Sequence, residues 1–262
     1  MKLKDQLRNG GVTIGSWITL RDPSVAEIMA KAGFDWLTVD LEHTSLSIGE
    51  AIDLVRVIDL CGVAPLVRIS ANDPVQIKRV LDGGAQGVIV PMVNTETEAR
   101  MAVAACRYPP AGNRGVGLGR AQTFGETFDE YFVNNNESAV LIAQIEHHIA
   151  VQNIADILAV DGVDGVIIGP YDLSASMDIP GQLEHPRLKE GIARVIEAAQ
   201  LAGKPAGLHS VSSDYEIAKG YFESGVRLLA YTVDMVVLNE VYRTGLSALR
   251  AAISLPVVRP QQ

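Results

Sequence analysis

The sequence alternates, eight times in succession, between a short apolar run and a longer stretch of helical periodicity. The short runs are rich in β-branched residues and predict strands, whereas the longer stretches predict amphipathic helices. The strands are predicted at 12–18, 36–41, 64–69, 87–92, 140–145, 165–170, 205–209 and 227–232, and the helices near 23–32, 48–60, 73–83, 95–106, 150–160, 186–202, 213–223 and 234–248. The strands are nearly continuous apolar segments, as expected when both faces of a parallel sheet are covered. Eight such units without a break in composition predict a TIM (β/α)8 barrel, a single domain over residues 1–262.

A doubly wound open sheet is the alternative fold for this alternation. Its dinucleotide-binding form has a GxGxxG turn after the first strand, where this chain has TLRDPS. A Schiff-base mechanism needs a lysine inside a barrel or at its catalytic mouth. Of the seven lysines only Lys204 adjoins a predicted strand. It precedes that strand, so it would lie at the end of the barrel opposite the catalytic mouth. We therefore expect no nicotinamide, flavin or PLP cofactor.

The charge distribution argues against two classes of partner. The 262 residues carry a net charge of -9, and the basic residues are scattered singly. A nucleic-acid or anionic-membrane surface would gather them into a patch. The stretch MKLKDQLRNGG lacks the apolar core of a signal peptide, and no apolar run is long enough to span a bilayer. We expect a cytoplasmic protein that binds neither nucleic acid nor membrane.

One segment interrupts the alternation. Residues 111–138 are glycine-rich and then polar, and they are predicted to form a long loop. Loops of this length in a compact domain usually act as lids or contact a neighbouring subunit.

Polar side chains gather where the predicted strands end. In a TIM barrel the carboxyl ends of the strands build the active site. Six of the eight strands run into ionisable or strongly polar residues at this end: Asp40, Glu42, His43, Arg68, Gln144, Glu146, Asp172, His209, Ser210 and Asp234. The opposite ends carry mostly Gly, Ala and Pro, so the polar rim predicts an active site.

The stretch QIEHH ends the fifth predicted strand. Residues two apart on a strand face the same side, so Gln144 and Glu146 are predicted to point together into the barrel mouth. Glu146 and Asp172 come from adjacent strands, and two carboxylates favour a hard divalent cation such as Mg²⁺ or Mn²⁺. His147 and His148 lack the HExxH spacing, and we interpret them as loop residues that lead into the next helix.

Three rim residues have structural interpretations that the sequence leaves open. Arg68 is as readily paired with a neighbouring carboxylate as it is placed to bind a substrate carboxylate or a developing oxyanion. His43 is either a hydrogen-bonded loop residue or an acid/base group. Asp172 is either a helix N-cap or a metal ligand.

Several ordered strings add a family resemblance. VDLEH, PLVRI, LDGGAQGVIVPMVNT, RGVGLGRAQTFG, IAQIE and GVDGVIIGPYDLSASM resemble the HpcH/HpaI aldolases, metal-dependent pyruvate aldolases of the phosphoenolpyruvate/pyruvate barrel superfamily. The resemblance covers nearly the whole chain. One departure is His147, where the family often has a small hydroxyl residue, and it bears on the aldehyde pocket and on metal preference.

The resemblance implies which residues bind metal and substrate. Glu146 and Asp172 would ligate the divalent metal, which is Mg²⁺ or Mn²⁺, with Co²⁺ as an alternative. Arg68 would contact the keto or enolate oxygen of pyruvate, with Gln144 supporting the same site. Backbone amides from Gly169 through Tyr171 to Asp172 would hold the pyruvate carboxylate.

The resemblance also implies a proton relay and an assembly. His43, with Asp40 and Asp82, would position the water that opens the aldol. Arg120 would reach toward an active site at a subunit interface. Family members are typically hexamers in which the terminal helix packs on, or is exchanged with, a neighbouring subunit.

These expectations converge on one reaction. The chain is predicted to cleave a 4-hydroxy-2-oxo acid reversibly to pyruvate, or a close 2-oxo acid, and an aldehyde, through a metal-stabilised enolate. The alternatives are a CoA-ester lyase, which would need a basic nucleotide channel that the sequence does not suggest, and an oxaloacetate-type decarboxylase. A non-catalytic barrel that binds a small acid is the alternative from another class.

Overall fold

Eight parallel strands close into a barrel in the computed structural model, which describes residues 2–254. Neighbouring strands pair in sequence order, and the last strand pairs with the first. The strands are β1 Thr13–Ile18, β2 Trp36–Asp40, β3 Ala64–Arg68, β4 Gly87–Val90, β5 Val140–Ile145, β6 Gly165–Ile168, β7 Ala206–Ser210 and β8 Leu228–Val233. The predicted TIM barrel is therefore confirmed.

Helices surround the barrel. They are α1 Leu3–Arg8, α2 Pro23–Lys31, α3 Ile48–Leu60, α4 Pro74–Asp82, α5 Glu96–Cys106, α6 Phe128–Ser138, α7 His148–Gln152, α8 Ile154–Ala159, α9 Pro170–Ser176, α10 Pro186–Leu201, α11 Tyr215–Glu223 and α12 Asp234–Ala252, with a 3₁₀ helix at Arg120–Gly125. The side chains of Asp22, Ser47 and Asp73 each accept a backbone N–H at the start of the following helix. Within residues 2–254, no helix combines the length and apolar character that crossing a membrane requires.

Alternation along the strands produces two cores. One strand face packs on the helices and contributes residues such as Val39 and Ile168. The other face fills the barrel interior, where Leu66 and Ile142 are buried. Because residues two apart share a face, the inward series that contains Ile142 continues to Gln144 at the mouth.

Helix α1, which the sequence analysis did not predict, closes the floor of the barrel. The floor is the end at which the amino termini of the strands lie. Leu3 and Leu7 are buried among the interior residues. The Lys4 ammonium donates to the Ala139 carbonyl at 2.5 Å and lies 3.1 Å from the Asp164 carboxylate. A buried charge is therefore compensated where the chain covers the floor.

The prediction of one long loop over residues 111–138 is wrong. Much of the segment is the 3₁₀ helix and α6. It joins the end of α5 to the start of β5, and a helix-to-strand connection lies at the floor of a (β/α)8 barrel. The segment is thus at the opposite end from this chain's own mouth, and its contact with a neighbouring subunit stays a prediction.

Helix α12 makes little contact with the barrel beyond its first turn. Asp234 is the only buried residue of this 19-residue helix. The exposed apolar side chains of α12 and the residue after it are Met235, Leu238, Val241, Tyr242, Leu246, Leu249 and Ile253. Such a contiguous apolar surface is typical of a protein–protein contact.

Candidate active site

A cavity of about 240 Å³ opens at the mouth, at the carboxyl ends of the strands. Its lining includes predicted residues from five strand ends, namely Asp40, His43, Arg68, Gln144, Gly169, Tyr171, Asp172 and His209, together with Trp17. The closed barrel thus brings together residues from distant parts of the sequence.

Arg68 is held in one orientation by three neighbours. Its Nε and Nη2 donate to the two oxygens of Asp40, at 2.8 and 2.6 Å, and its Nη1 lies 3.2 Å from the Glu42 carboxylate. The guanidinium carbon also lies 4.2 Å from the centroid of the Trp17 ring. Since Asp40 occupies one edge of the planar fork, the remaining Nη1 edge faces the mouth beside Glu42.

Glu42 is the carboxyl group of the mouth whose protonation is most altered. Burial, opposed by Arg68 and reinforced by Glu146, Asp40 and Asp172, raises the pKa of Glu42 to about 7. The His43 Nε2 lies 3.7 Å from the Glu42 carboxylate, and the His43 ring is largely exposed. Glu42 therefore has the pKa that proton transfer near neutral pH needs, and His43 lies beside it.

Glu146 is buried and oriented by two donors. Its Oε1 accepts the Met92 amide at 2.7 Å, and its Oε2 accepts the Gln144 side-chain amide. Met92 has a φ of 53°, a conformation that is uncommon for a residue other than glycine and that often occurs at functional sites. Burial raises the pKa of Glu146, and Asp172 raises it further.

Asp172 lies in the first turn of the short helix α9 and is exposed at the mouth. The N-cap position is Gly169, so the interpretation of Asp172 as an N-cap is wrong. A Cβ on Gly169 would lie 3.3 Å from the Cβ of Glu146 and 3.4 Å from its Oε2. Glycine therefore permits the close approach of α9 to the Glu146 carboxylate.

The oxygen-rich mouth fits a hard divalent cation. The negative charge of Asp172 raises the pKa of Glu146, and the Glu42 Oε2 is buried with an ion pair to Arg68 Nη1 but without a hydrogen bond to any described residue. Within residues 2–254, no group of three or more His, Cys, Asp and Glu side chains is arranged to hold a metal. The donor set is instead a carboxylate pair, which suits an ion that retains water and substrate ligands.

His147 and His148 have structural roles in the helix that follows β5. The Nδ1 of His147 accepts the Ile149 amide at 3.3 Å, which makes His147 the N-cap of α7. His148 bonds to Ser176 through its backbone amide and its Nδ1, at 2.9 and 2.8 Å. These contacts agree with the interpretation of both as connecting residues.

Asp82 and Arg120 lie at the floor and not at the mouth of their own chain. Asp82 ends α4 and accepts from Arg114 Nη2 at 2.7 Å. Arg120 Nη2 donates to Asp59 at 2.6 Å. The expected grouping of Asp82 with His43 is therefore not formed within one chain.

Sequence reasoning left three mouth residues without a role. Glu42 and His209 were recognised only as polar residues at strand ends, and Trp17 was not singled out. The indole Nε1 of Trp17 and the Nε2 of His209 are buried and make no hydrogen bond with any described residue. The alternation of side chains along β1 and β7 was the sequence signal that could have placed Trp17 and His209 on the inward face of the barrel.

Fold and mouth together define a TIM-barrel enzyme with an acidic, oxygen-rich active site. The family model described as HpcH/HpaI aldolase/citrate lyase matches residues 13–240. The chain is 44% identical over 237 residues to the 4-hydroxy-2-oxo-heptane-1,7-dioate aldolase of Salmonella dublin, covering 90% of this chain and 89% of that relative. The chain belongs to the HpcH/HpaI aldolase/citrate lyase family, which confirms the predicted family and its lyase class.

Two solved structures agree with the assignment. An HpcH/HpaI aldolase/citrate lyase family protein from Burkholderia cenocepacia is 34% identical, with a TM-score of 0.90 over 95% of this chain and 98% of its own. An HpcH/HpaI aldolase from Desulfitobacterium hafniense is 35% identical, with a TM-score of 0.89 over 99% of this chain and 100% of its own.

Proposed function

We propose that this protein is a divalent-metal-dependent aldolase that reversibly cleaves a 4-hydroxy-2-oxo acid to pyruvate, or a close 2-oxo acid, and an aldehyde. The observation that carries the proposal is the mouth itself: a fixed arginine faces two carboxylates, Glu146 and Asp172, that no described basic side chain neutralises by a salt bridge. The 44% identity to an enzyme named for a 4-hydroxy-2-oxo acid supports this substrate class.

Arg68 binds and stabilises the oxygen that becomes negative. When the bond between C3 and C4 of the substrate breaks, its electron pair forms an enolate whose charge resides on the C2 oxygen. The Nη1 edge of Arg68 is the edge that faces the substrate, because Asp40 takes the other edge and Nη1 is paired with the Glu42 carboxylate alone among the described residues. A preorganised charged donor of this kind contributes several kcal/mol, on the order of 3, to transition-state stabilisation.

The amides at the start of α9 hold the substrate carboxylate. The Gly169 amide already donates to the Ile145 carbonyl at 3.2 Å, and Pro170 has no N–H. The amides of Tyr171 and Asp172 therefore remain for the carboxylate. Gln144 supports the site by orienting Glu146 through its side-chain amide.

Proton transfer passes through His43 and Glu42. Cleavage requires removal of the proton from the C4 hydroxyl, followed by protonation of the enolate at C3. His43 is exposed at the mouth and Glu42 has a pKa near 7, so either can exchange a proton with a positioned water. Asp40 accepts the backbone amides of Glu42 and His43, at 3.0 and 3.4 Å, and so orients this turn.

Glu146 and Asp172 would hold the metal. Their oxygen-only donor set suits Mg²⁺ or Mn²⁺, and it accommodates Co²⁺. When bound, a divalent cation supplies a Lewis acid for the oxygens of the oxo acid.

The test is metal dependence of proton exchange. Pyruvate α-proton exchange should disappear after treatment with EDTA and removal of the chelator, and it should return when Mn²⁺ or Mg²⁺ is added. Proton exchange that persists after complete removal of the metal would contradict the mechanism. A panel of short aliphatic, hydroxylated and semialdehyde acceptors, each incubated with pyruvate, then identifies the aldehyde.

We also propose that the enzyme is a homo-oligomer of the hexameric kind, located in the cytoplasm. The exposed apolar residues of α12 support packing on another subunit. Asp82 and Arg120 lie at the floor, so they would reach only the mouth of a neighbouring copy. Light scattering of the wild type and of a Tyr242→Asp, Leu246→Asp double variant tests this, and a wild type that is monomeric at micromolar concentration contradicts it.

A further inference from the structure

His209 and Trp17 form a polar corner in the mouth that the proposed reaction leaves unused. His209 lies on β7 and its ring centroid is 5.1 Å from that of Trp17 on β1. Both side chains line the mouth cavity, and both have a buried nitrogen, His209 Nε2 and Trp17 Nε1, without a hydrogen-bond partner among the described residues. An unpaired buried polar atom costs free energy unless a ligand or water satisfies it.

The environment of His209 determines which nitrogen carries its proton. Burial, together with the nearby Arg68 charge, lowers the pKa of His209 to about 3, so the ring is neutral at physiological pH. The backbone carbonyl of Thr232 hydrogen-bonds to the ring. A carbonyl only accepts, so the nitrogen facing it carries the hydrogen, and this nitrogen is Nδ1 because Nε2 is the unpartnered one. Nε2 therefore presents a lone pair.

Thr232 is itself held in place for this contact. Its φ is 57°, uncommon for a β-branched residue, and its carbonyl also accepts from Ser16 Oγ at 3.2 Å. Arg68 covers the Trp17 ring and limits its movement. The two unpartnered nitrogens thus belong to side chains that other contacts already fix.

The corner offers one donor and one acceptor. The indole N–H of Trp17 donates only, and Nε2 of neutral His209 accepts. A hydroxyl group can satisfy both, because its oxygen accepts and its hydrogen donates. A carboxylate cannot donate to His209, and a methyl group leaves both nitrogens unpaired.

We infer that His209 and Trp17 are specificity-determining residues that select substrates with a hydroxyl group next to the reacting carbons. The inference rests on the proposed aldolase function and goes beyond it by assigning the chemistry of the substrate. Two sources can supply the hydroxyl: C3 of the 2-oxo acid, as in hydroxypyruvate, or the carbon beside the aldehyde, as in glycolaldehyde.

The experiment compares matched pairs of substrates in wild type, His209→Leu and Trp17→Phe. One arm sets hydroxypyruvate against pyruvate with the same aldehyde, and the other sets glycolaldehyde against acetaldehyde with pyruvate. In at least one arm, the kcat/KM ratio of the hydroxylated to the plain substrate should fall about tenfold in each variant, since each removes one hydrogen bond to a hydroxyl. The arm that responds identifies the source.

Three controls separate this role from a structural one. His209→Gln keeps a side-chain carbonyl acceptor and should restore part of the ratio, and Trp17→Phe keeps the ring against Arg68. His185→Asn replaces a histidine that caps α10 away from the mouth and should leave the ratio as it is. Thermal unfolding checks that each variant is folded.

The outcomes distinguish the inference from the proposed function. A ratio that stays constant in both arms, or that fails to change in either single variant, contradicts the pair as a hydroxyl site while leaving the aldolase intact. If no substrate pair turns over, the aldolase proposal fails, and calorimetric titration in the presence of Mg²⁺ with both pairs, hydroxypyruvate against pyruvate and glycolaldehyde against acetaldehyde, still decides the inference. Equal affinities within both pairs, or binding of none of the four compounds, overturn it.

Discussion

The two ends of the barrel bury charged groups to opposite effect. At the floor the charges are compensated: Lys4 bonds to Asp164 and to a backbone carbonyl, and Lys204 donates to two carbonyls at 2.6 and 3.0 Å. At the mouth the carboxylates of Glu42 and Glu146 have raised pKa values. Buried charged groups therefore stabilise the fold at the floor, whereas at the mouth they remain available to a ligand.

The difference shows which buried polar groups point to function. Burial alone does not, because Arg114 at the floor is fully buried and its two terminal nitrogens bond to Asp82, Asn135 and Tyr131, although its Nε has no partner among the described residues. Unpaired buried groups indicate function where they belong to side chains that line one cavity, as Trp17 and His209 do at the mouth. Substitutions at the mouth should therefore lower activity, whereas substitutions at the floor should lower stability.

The largest expected effect is on activity at the mouth. Glu146→Gln keeps the shape of the side chain but removes a negative charge, so metal-dependent turnover should fall by about a thousandfold. Thermal stability should stay level or rise, because the repulsion between the buried Glu146 carboxylate and the negative charge of Asp172 is relieved. Enzyme kinetics and thermal unfolding measure the two effects. Glu137→Gln, an exposed carboxylate at the floor, should change neither.

At the floor the effect should be on stability. Lys4→Met leaves Asp164 buried with the Leu141 amide as its remaining partner among residues 2–254, and breaking such a buried pair costs about 3 kcal/mol of unfolding free energy. Activity per folded molecule should persist. Urea unfolding measures the loss. Adding Asp164→Asn should recover part of the lost unfolding free energy. Lys2→Met is the exposed control. Undiminished stability of Lys4→Met would contradict the role of the pair.

Arg68→Lys tests the fixed geometry of the mouth. Lysine cannot bond both oxygens of Asp40 and also lie against the Trp17 ring, so kcat should drop by about a hundredfold. Stability should change less than in Lys4→Met. Steady-state kinetics decide the point, with the exposed Arg100→Lys as control, and near-normal turnover would remove Arg68 from its proposed role.

The smallest expected effect is the pH dependence of metal affinity. Glu42 interacts electrostatically with the proposed ligands Glu146 and Asp172, so its negative charge strengthens cation binding there and its protonation weakens it. Acidification from pH 8 to pH 6 crosses the Glu42 pKa of about 7, so the apparent Mg²⁺ affinity should weaken, by about tenfold. Calorimetric titration at the two pH values measures it. Glu42→Gln should flatten the pH dependence of the Mg²⁺ affinity. A variant with the same pH dependence as the wild type would exclude Glu42 as its cause.

Much of the site was predictable because barrel geometry turns sequence position into spatial position. Strand ends in a (β/α)8 barrel meet at one rim, so the residues after each strand could be grouped without coordinates. Alternation then assigned Gln144 and Glu146 to the interior and set aside His147 and His148. The catalytic and metal-binding roles of these residues stay predictions that the experiments above decide.

Three features could not be predicted from sequence for physical reasons. Segment 111–138 looked unstructured because α6 is polar along most of its length, and its helix is supported by tertiary contacts such as Asn135 with Arg114. Asp82 ends α4 and Arg120 begins the 3₁₀ helix, so strand periodicity gave no sign of where they lie. The pairing of Trp17 with His209 depends on β1 pairing with β8, which pairs in turn with β7.

The sequence by itself determined the repeat of strand and helix, and with it the barrel, the rim and the family, because hydrophobic periodicity and ordered motifs are local properties of the chain. The tertiary structure alone decided which polar groups are paired. Arg68 meets Asp40 only across two strands, and Glu146 meets Met92 only through a backbone turn with φ of 53°. Pairing depends on distances between segments far apart in sequence, and those distances exist only once the barrel has closed.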